Sequence, residues 1–174
     1  MSAQSADKTL DIPLDILGQQ PLLKIYTQIC LCYPLADESA HGNIVSTLAQ
    51  GLERLTANLP WIAGKVINEG ASEGNSGVFK IVSFEKTPRL IVKDLREDAW
   101  SWNALQKANF PFNMLDESVI CPRNTLPGMP DETEEQRTVA PVFYVQVTFV
   151  AGGVILAFVA HHGTMDMTGQ GHIM

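Results

Sequence analysis

Residues 154–166 read Val154-Ile155-Leu156-Ala157-Phe158-Val159-Ala160-His161-His162-Gly163-Thr164-Met165-Asp166. The unbroken apolar run from Val154 to Ala160 is the pattern of a strand buried on both faces, where neither face needs polar side chains. Two imidazoles, a glycine and a carboxylate follow at once. Polar chemistry therefore emerges where a core strand stops, held by the strand and exposed by the loop. Just upstream, Ala151-Gly152-Gly153 is turn chemistry, and Val142 to Val150 is a second strand-like run. The two runs predict a β-hairpin that delivers the histidines to one end of a sheet.

The preceding chain alternates helical and strand signals. Leu22 to Tyr33 reads as a strand, ended by Pro34; its apolar tail argues for a central place in the sheet. Asp37 or Ser39 can cap a helix in which Ile44, Val45, Leu48, Leu52, Leu55 and Leu59 recur at three- and four-residue steps, giving one apolar stripe stopped by Pro60. Strands are expected over Ala63–Ile67 and Val78–Phe84, joined by a glycine- and serine-rich turn over Glu69–Gly77. Leu90–Asp94 makes another short strand, and Asp98–Ala108 a short helix. Pro111 to Glu135, with its prolines and an acidic cluster, reads as a long irregular loop with little core content and as the segment most open to proteolysis. Met1–Lys8 reads as a disordered leader. This mixed order implies an α/β or α+β sandwich.

Composition narrows the function. The chain has 174 residues, 45% hydrophobic and 18% charged, enough for one domain with a real core. A formal net charge of −7 without a basic cluster argues against nucleic acid as a partner. No apolar stretch reaches the roughly 18 residues that span a bilayer, and residues 1–10 lack a signal-peptide core. Cys30 and Cys32 lie two apart on one expected strand face, where they do not bond each other. With Cys121 they form an odd set without a C-x-x-C pair, which favours free thiols and a cytoplasmic location.

The candidate site is His162. A neutral imidazole with an ordinary pKa near 6.5 can take a proton from an alcohol or thiol as a new bond forms. His161 and Gly163 are secondary candidates; neighbouring strand-end residues alternate sides, so His161 is expected to pack inward or bond the backbone. Asp166 has two readings: it orients His162 directly, or it pairs with a distant arginine and braces the loop. A metal site is not expected, since adjacent histidines rarely converge on one ion and no H-E-x-x-H helix is present. Nor is there a G-x-S-x-G elbow, a dinucleotide-binding glycine pattern or a P-loop lysine.

His161-His162-Gly163-Thr164-Met165-Asp166 after an apolar strand resembles the HHxxxD motif of coenzyme A-dependent acyltransferases of the BAHD superfamily, and especially its fungal, trichothecene 3-O-acetyltransferase-like branch. Leu59-Pro60-Trp61-Ile62-Ala63-Gly64-Lys65-Val66 is similar to the segment that follows the first helix there. Val147 to Leu156 is similar to the hairpin leading into the motif, and Asp166-Met167-Thr168-Gly169 resembles the fungal exit from it. The motif alone is shared with peptide-synthetase condensation domains and chloramphenicol acetyltransferase-like enzymes.

The resemblance implies a chloramphenicol acetyltransferase-like α/β fold: a mixed sheet flanked by helices, one of two similar domains with the active site in a channel between them. It assigns His162 as the base that deprotonates an acceptor hydroxyl, and Asp166 as a structural support braced by an arginine. Acyl-CoA is the implied co-substrate, a small hydroxylated metabolite the acceptor, and no cofactor is permanently bound. The family's DFGWG-type motif is absent from residues 1–174. The chain is therefore expected to be an N-terminal half whose complementary C-terminal half lies elsewhere, on a second chain or a missing segment. Two rivals share the scaffold: a non-acyl reaction such as cyclisation or elimination, and a non-catalytic binding protein.

Overall fold

In the computed structural model, residues 9–98, 100–130 and 132–174 are described. The expected Met1–Lys8 leader lies outside them. The elements in chain order are β1 (Asp11–Pro13), β2 (Tyr26–Pro34), α1 (His41–Asn58), β3 (Lys65–Glu69), β4 (Val78–Val82), β5 (Arg89–Asp94), α2 (Trp102–Lys107), α3 (Glu117–Ile120), α4 (Glu134–Thr138), β6 (Ala140–Pro141), β7 (Phe143–Val150), β8 (Gly153–His161) and α5 (Met167–Ile173).

The strands form two four-stranded sheets. One has the order β1-β4-β3-β6 and the other β2-β8-β7-β5. In the second, β7 pairs antiparallel with β8 and parallel with β5. Every residue of β7 is buried, as its continuous apolar run predicts for a strand covered on both faces. The β7–β8 hairpin forms as expected. Gly152 supplies the left-handed turn at φ 77°, and any Cβ on Gly153 would stand 2.8 Å from the Trp102 ring.

Helix α1 lies across the second sheet and contacts the first. Its Ile44, Val45 and Leu48 pack on Val147, Phe149 and Val154, and His41 stacks on Phe149 at 4.1 Å. Leu52 and Leu55 join Ile62, Val66, Phe79, Ile81 and Val145, which tie the two sheets together. The predicted stripe is therefore the packing face. Asp37 caps not α1 but the 3-10 turn before it, accepting from the Ser39 amide at 2.9 Å.

Several expectations need correction. Residues 21–23 form a 3-10 turn, and β2 begins only at Tyr26. β2 is an edge strand, not a central one. Its Cys30 and Cys32 pack against a cluster that includes Leu105, Ile120 and Cys121. Pro34 does end β2, as expected, and closes the register opposite Gly153, a position open to proline because an edge strand has one unpaired side. The segment before β3 is 3-10 over Pro60–Ala63.

The 111–135 segment is not devoid of core. Asp116 caps α3 and Thr133 with Gln136 forms a capping box at α4. Ile120, Cys121, Arg123 and Glu132 are buried. The Glu117 carboxylate accepts from the Gln28 amide and from both the amide and hydroxyl of Thr125, at 2.9–3.0 Å. Polar side chains thus anchor a stretch whose apolar content alone is too sparse to do so.

Candidate functional site

The histidine pair sits where β8 leaves the sheet. His161 is the last residue in register with β2, opposite Tyr26. The His162 amide continues that ladder by donating to the Ile25 carbonyl at 2.8 Å, while the His161 amide donates to the Val142 carbonyl at 2.9 Å. The two backbones are therefore fixed on either side, to the residue before β2 and to the residue between β6 and β7. Adjacent residues on a strand face opposite ways, and the two imidazoles end in different surroundings.

His161 is 4% exposed. Its ring meets Tyr26 edge-on at 5.5 Å, and its Nδ1 has no hydrogen-bond partner among the described residues. Burial, helped by the positive charge of Arg123, pushes its pKa down to about 4. The Arg123 guanidinium lies over the Tyr26 ring at 4.7 Å, and the Tyr26 hydroxyl donates to the Pro141 carbonyl at 2.9 Å. His161 is a neutral packing residue beside a cavity of about 390 Å³ lined by Lys24, Tyr26, Arg123, Glu132 and Gln136.

His162 is partly exposed. Its Nδ1 lies 3.3 Å from the Met165 carbonyl oxygen. A carbonyl only accepts, so this long bond requires the proton on Nδ1. In the neutral ring the lone pair then resides on Nε2, the nitrogen left to accept a proton.

The loop is tightly tied. The Thr164 hydroxyl and amide both donate to the His161 carbonyl, at 2.7 and 2.9 Å. Gly163 lies against Gly18: a Cβ on Gly18 would collide with the Gly163 carbonyl oxygen, and one on Gly163 would come 3.1 Å from His161 Cε1. Both glycines allow the 14–20 segment to press on the histidine turn.

Asp166 is exposed and is the N-cap of α5, accepting from the Gly169 amide at 2.7 Å. Among the described residues its carboxylate bonds neither the His162 ring nor an arginine. It holds the loop by fixing the start of α5. Gln170 then locks α5 to the sheet. It is fully buried, donates to the Phe158 carbonyl at 2.8 Å, and accepts from the Thr27 hydroxyl at 3.2 Å. Neither Gln170 nor Arg123 stands out in the sequence, and Gly18 does so only as one more loop glycine. A larger cavity, about 800 Å³, runs along Tyr26, Thr27, Gln28 and Cys30 to Glu117 and Met167. Among the described residues no group of three or more His, Cys, Asp or Glu is placed to hold a metal ion.

A strand-end histidine pair, a carboxylate four residues on, and a two-sheet scaffold agree with one family. Residues 25–174 match the trichothecene 3-O-acetyltransferase-like N-terminal domain. The chain belongs to this family. The O-acetyltransferase dmxR13 of Cryptosporiopsis sp. (strain 8999) is 52% identical over 170 residues, covering 97% of this chain and 36% of the relative. Trichothecene 3-O-acetyltransferase TRI101 of Fusarium sporotrichioides is 49% identical over 176 residues, covering 99% of this chain and 38% of the relative. The structure of F. graminearum TRI101 complexed with coenzyme A and T-2 mycotoxin superimposes with a TM-score of 0.88 at 47% identity, covering 94% of this chain and 37% of that one. The acyltransferase-type mixed α/β fold expected of this N-terminal domain is thereby borne out. The chain spans a little over a third of the length of the curated relatives it matches.

Proposed function

We propose that this domain carries the general base of an acyl-coenzyme A-dependent O-acyltransferase that acts on a hydroxyl of a small secondary metabolite. The single observation that carries the reading is the His162 Nδ1 contact with the Met165 carbonyl, which leaves Nε2 free to take a proton. The acyl donor and the acceptor class come from the relatives: O-acetyltransferases by name, one of them with coenzyme A and T-2 mycotoxin in its structure.

In this reading His162 Nε2 removes the proton of the acceptor hydroxyl as its oxygen attacks the thioester carbonyl. The tetrahedral intermediate collapses, the carbon–sulfur bond breaks, and the imidazolium returns the proton to the departing thiolate. Ester and free coenzyme A are the products. No protein nucleophile is required, because the acceptor oxygen forms the new bond.

Asp166 and Gln170 are positioning residues: they hold the helix that follows the turn. Gly18 and Gly163 let the 14–20 segment brace the turn from the other side. Acyl transfer is expected to need the region equivalent to the remainder of the relatives' length, whether on the same polypeptide or a second one. Three free thiols suit the cytoplasm, and among the described residues no helix is long and apolar enough to cross a membrane.

The test is release of free coenzyme A from acetyl-CoA, with that remainder present, in the presence and absence of hydroxylated polycyclic terpenoids. Acceptor-dependent thiol release with an acetylated product supports the reading. Conversion of an acceptor without consumption of acetyl-CoA would instead favour a non-acyl reaction on the same scaffold.

A further inference from the structure

Away from the histidine turn, two sulfur atoms stand close together. Cys30 Sγ lies 3.8 Å from Cys121 Sγ, and both thiols are free. Cys30 projects from the edge strand β2, and Cys121 follows the last turn of α3, 91 residues away in sequence. Cys121 is buried, at 3% exposure. Its S–H donates to the Gln28 amide oxygen at 3.2 Å, and its sulfur stands against that of Cys30. Cys30 is only half-buried and lines the 800 Å³ cavity. One thiol of the pair therefore faces a space that a small reagent can enter, and the other waits behind it.

We propose that Cys30 and Cys121 are a reversible dithiol–disulfide pair, oxidised by a low-molecular-weight disulfide of the glutathione type. The Cys30 thiolate attacks one sulfur of the reagent and expels the other half as a thiolate, giving a mixed disulfide on Cys30. Cys121 then loses its proton and attacks Cys30 Sγ, expelling the second half. Two protein thiols and one small disulfide become one protein disulfide and two small thiols.

The order of attack follows from the contact. The hydrogen bond with Cys121 pulls the Cys30 pKa down against the opposing effect of burial, while the same bond and burial both push Cys121 up. Cys30 ionises first, the property of an attacking thiol. Closing the sulfurs to the covalent distance of about 2.05 Å needs a shift of under roughly 2 Å, within reach of side-chain rotation. Cys32, on the same strand face, lacks such a partner among the described residues, and burial raises its pKa.

The bond would clamp β2 to the 117–125 segment. Gln28 already tethers that segment by donating to Glu117 and to the Arg123 carbonyl at 2.9 and 2.8 Å. Oxidation would replace an exchangeable polar clasp with a covalent one and fix the wall of the cavity that runs to Met167.

The test is to equilibrate the protein in glutathione buffers from fully reducing to strongly oxidising, quench with acid, alkylate, digest and map the cysteines by mass. The expected result is a peptide pair joined through Cys30 and Cys121, lighter by two hydrogens, with Cys32 alkylated and dithiothreitol restoring both thiols. The variant Cys32→Ser should give the same linked pair. Three alkylated cysteines at the most oxidising ratio would overturn the proposal. So would a product that stops at glutathione on Cys30, or one that joins Cys30 to Cys32. The wild-type map decides the matter, so no cysteine variant has to fold for the proposal to fail.

Discussion

The Asp166 carboxylate accepts the Gly169 amide at 2.7 Å and so begins helix α5. The loop that carries His162 is therefore anchored at both ends: by the β2–β8 ladder before it and by a helix cap after it. Replacing Asp166 with alanine removes the cap and should cost about 1 kcal/mol. Asparagine can cap as well, so Asp166→Asn should keep most of the melting temperature and part of the activity. Thermal melts alongside acyl-transfer rates check this. An Asp166→Asn protein that melts normally but is as inactive as a His162 variant would show that the carboxylate acts on the imidazole itself.

His161 makes stability depend on pH in a defined window. Its folded pKa is about 4, against an ordinary 6.5, because burial and Arg123 disfavour the charged ring. Between those values the unfolded chain binds the proton and the folded chain does not. The stabilisation is thus fully present above pH 6.5 and is lost as the pH falls toward 4, by an amount on the order of 3 kcal/mol at most. Urea unfolding of wild type and His161→Phe across pH 4–7 should show a steeper fall in the wild type. Parallel curves would contradict a neutral buried His161.

Gln170 is the polar lock between α5 and the sheet. Its side chain is fully buried and satisfies the Phe158 carbonyl and the Thr27 hydroxyl. Gln170→Ala should cost about 1–3 kcal/mol, because the partly buried Phe158 carbonyl and Thr27 hydroxyl would lose this partner. Amide exchange should rise first in α5 and at the His162 turn. A variant with unchanged exchange there would remove Gln170 from the support of the site.

How legible all this is in the sequence depends on whether a feature is local. The β7–β8 hairpin and the α1 stripe are written in consecutive residues, and both form as read. The His161/His162 division of sides follows from strand alternation alone. The edge position of β2 does not, because the cluster on which Cys30 and Cys32 pack draws in Ile120 and Cys121, about ninety residues on, in a segment that reads as a proline-rich loop. Asp166 is ambiguous for a different reason: the carboxylate that sits four residues after His162 also sits three before Gly169, and the second spacing is a helix cap. Gln170 carries no signal, since a glutamine in the first turns of a helix reads as surface, and only the docking of α5 buries it.

In the proposed mechanism His162 is the base and His161 is not. The most direct measurement is the steady-state rate of acetyl transfer by wild type, His162→Ala and His161→Ala, each with the complementary region present, together with coenzyme A binding by calorimetry. Removing a general base typically lowers turnover by about 10²- to 10⁴-fold. The base acts in the transition state, so the loss in His162→Ala should fall on kcat with coenzyme A affinity nearly unchanged. His161→Ala should lower the melting temperature and retain turnover. A folded His162→Ala protein that keeps wild-type turnover, or a well-folded His161→Ala protein that loses it, would contradict the account.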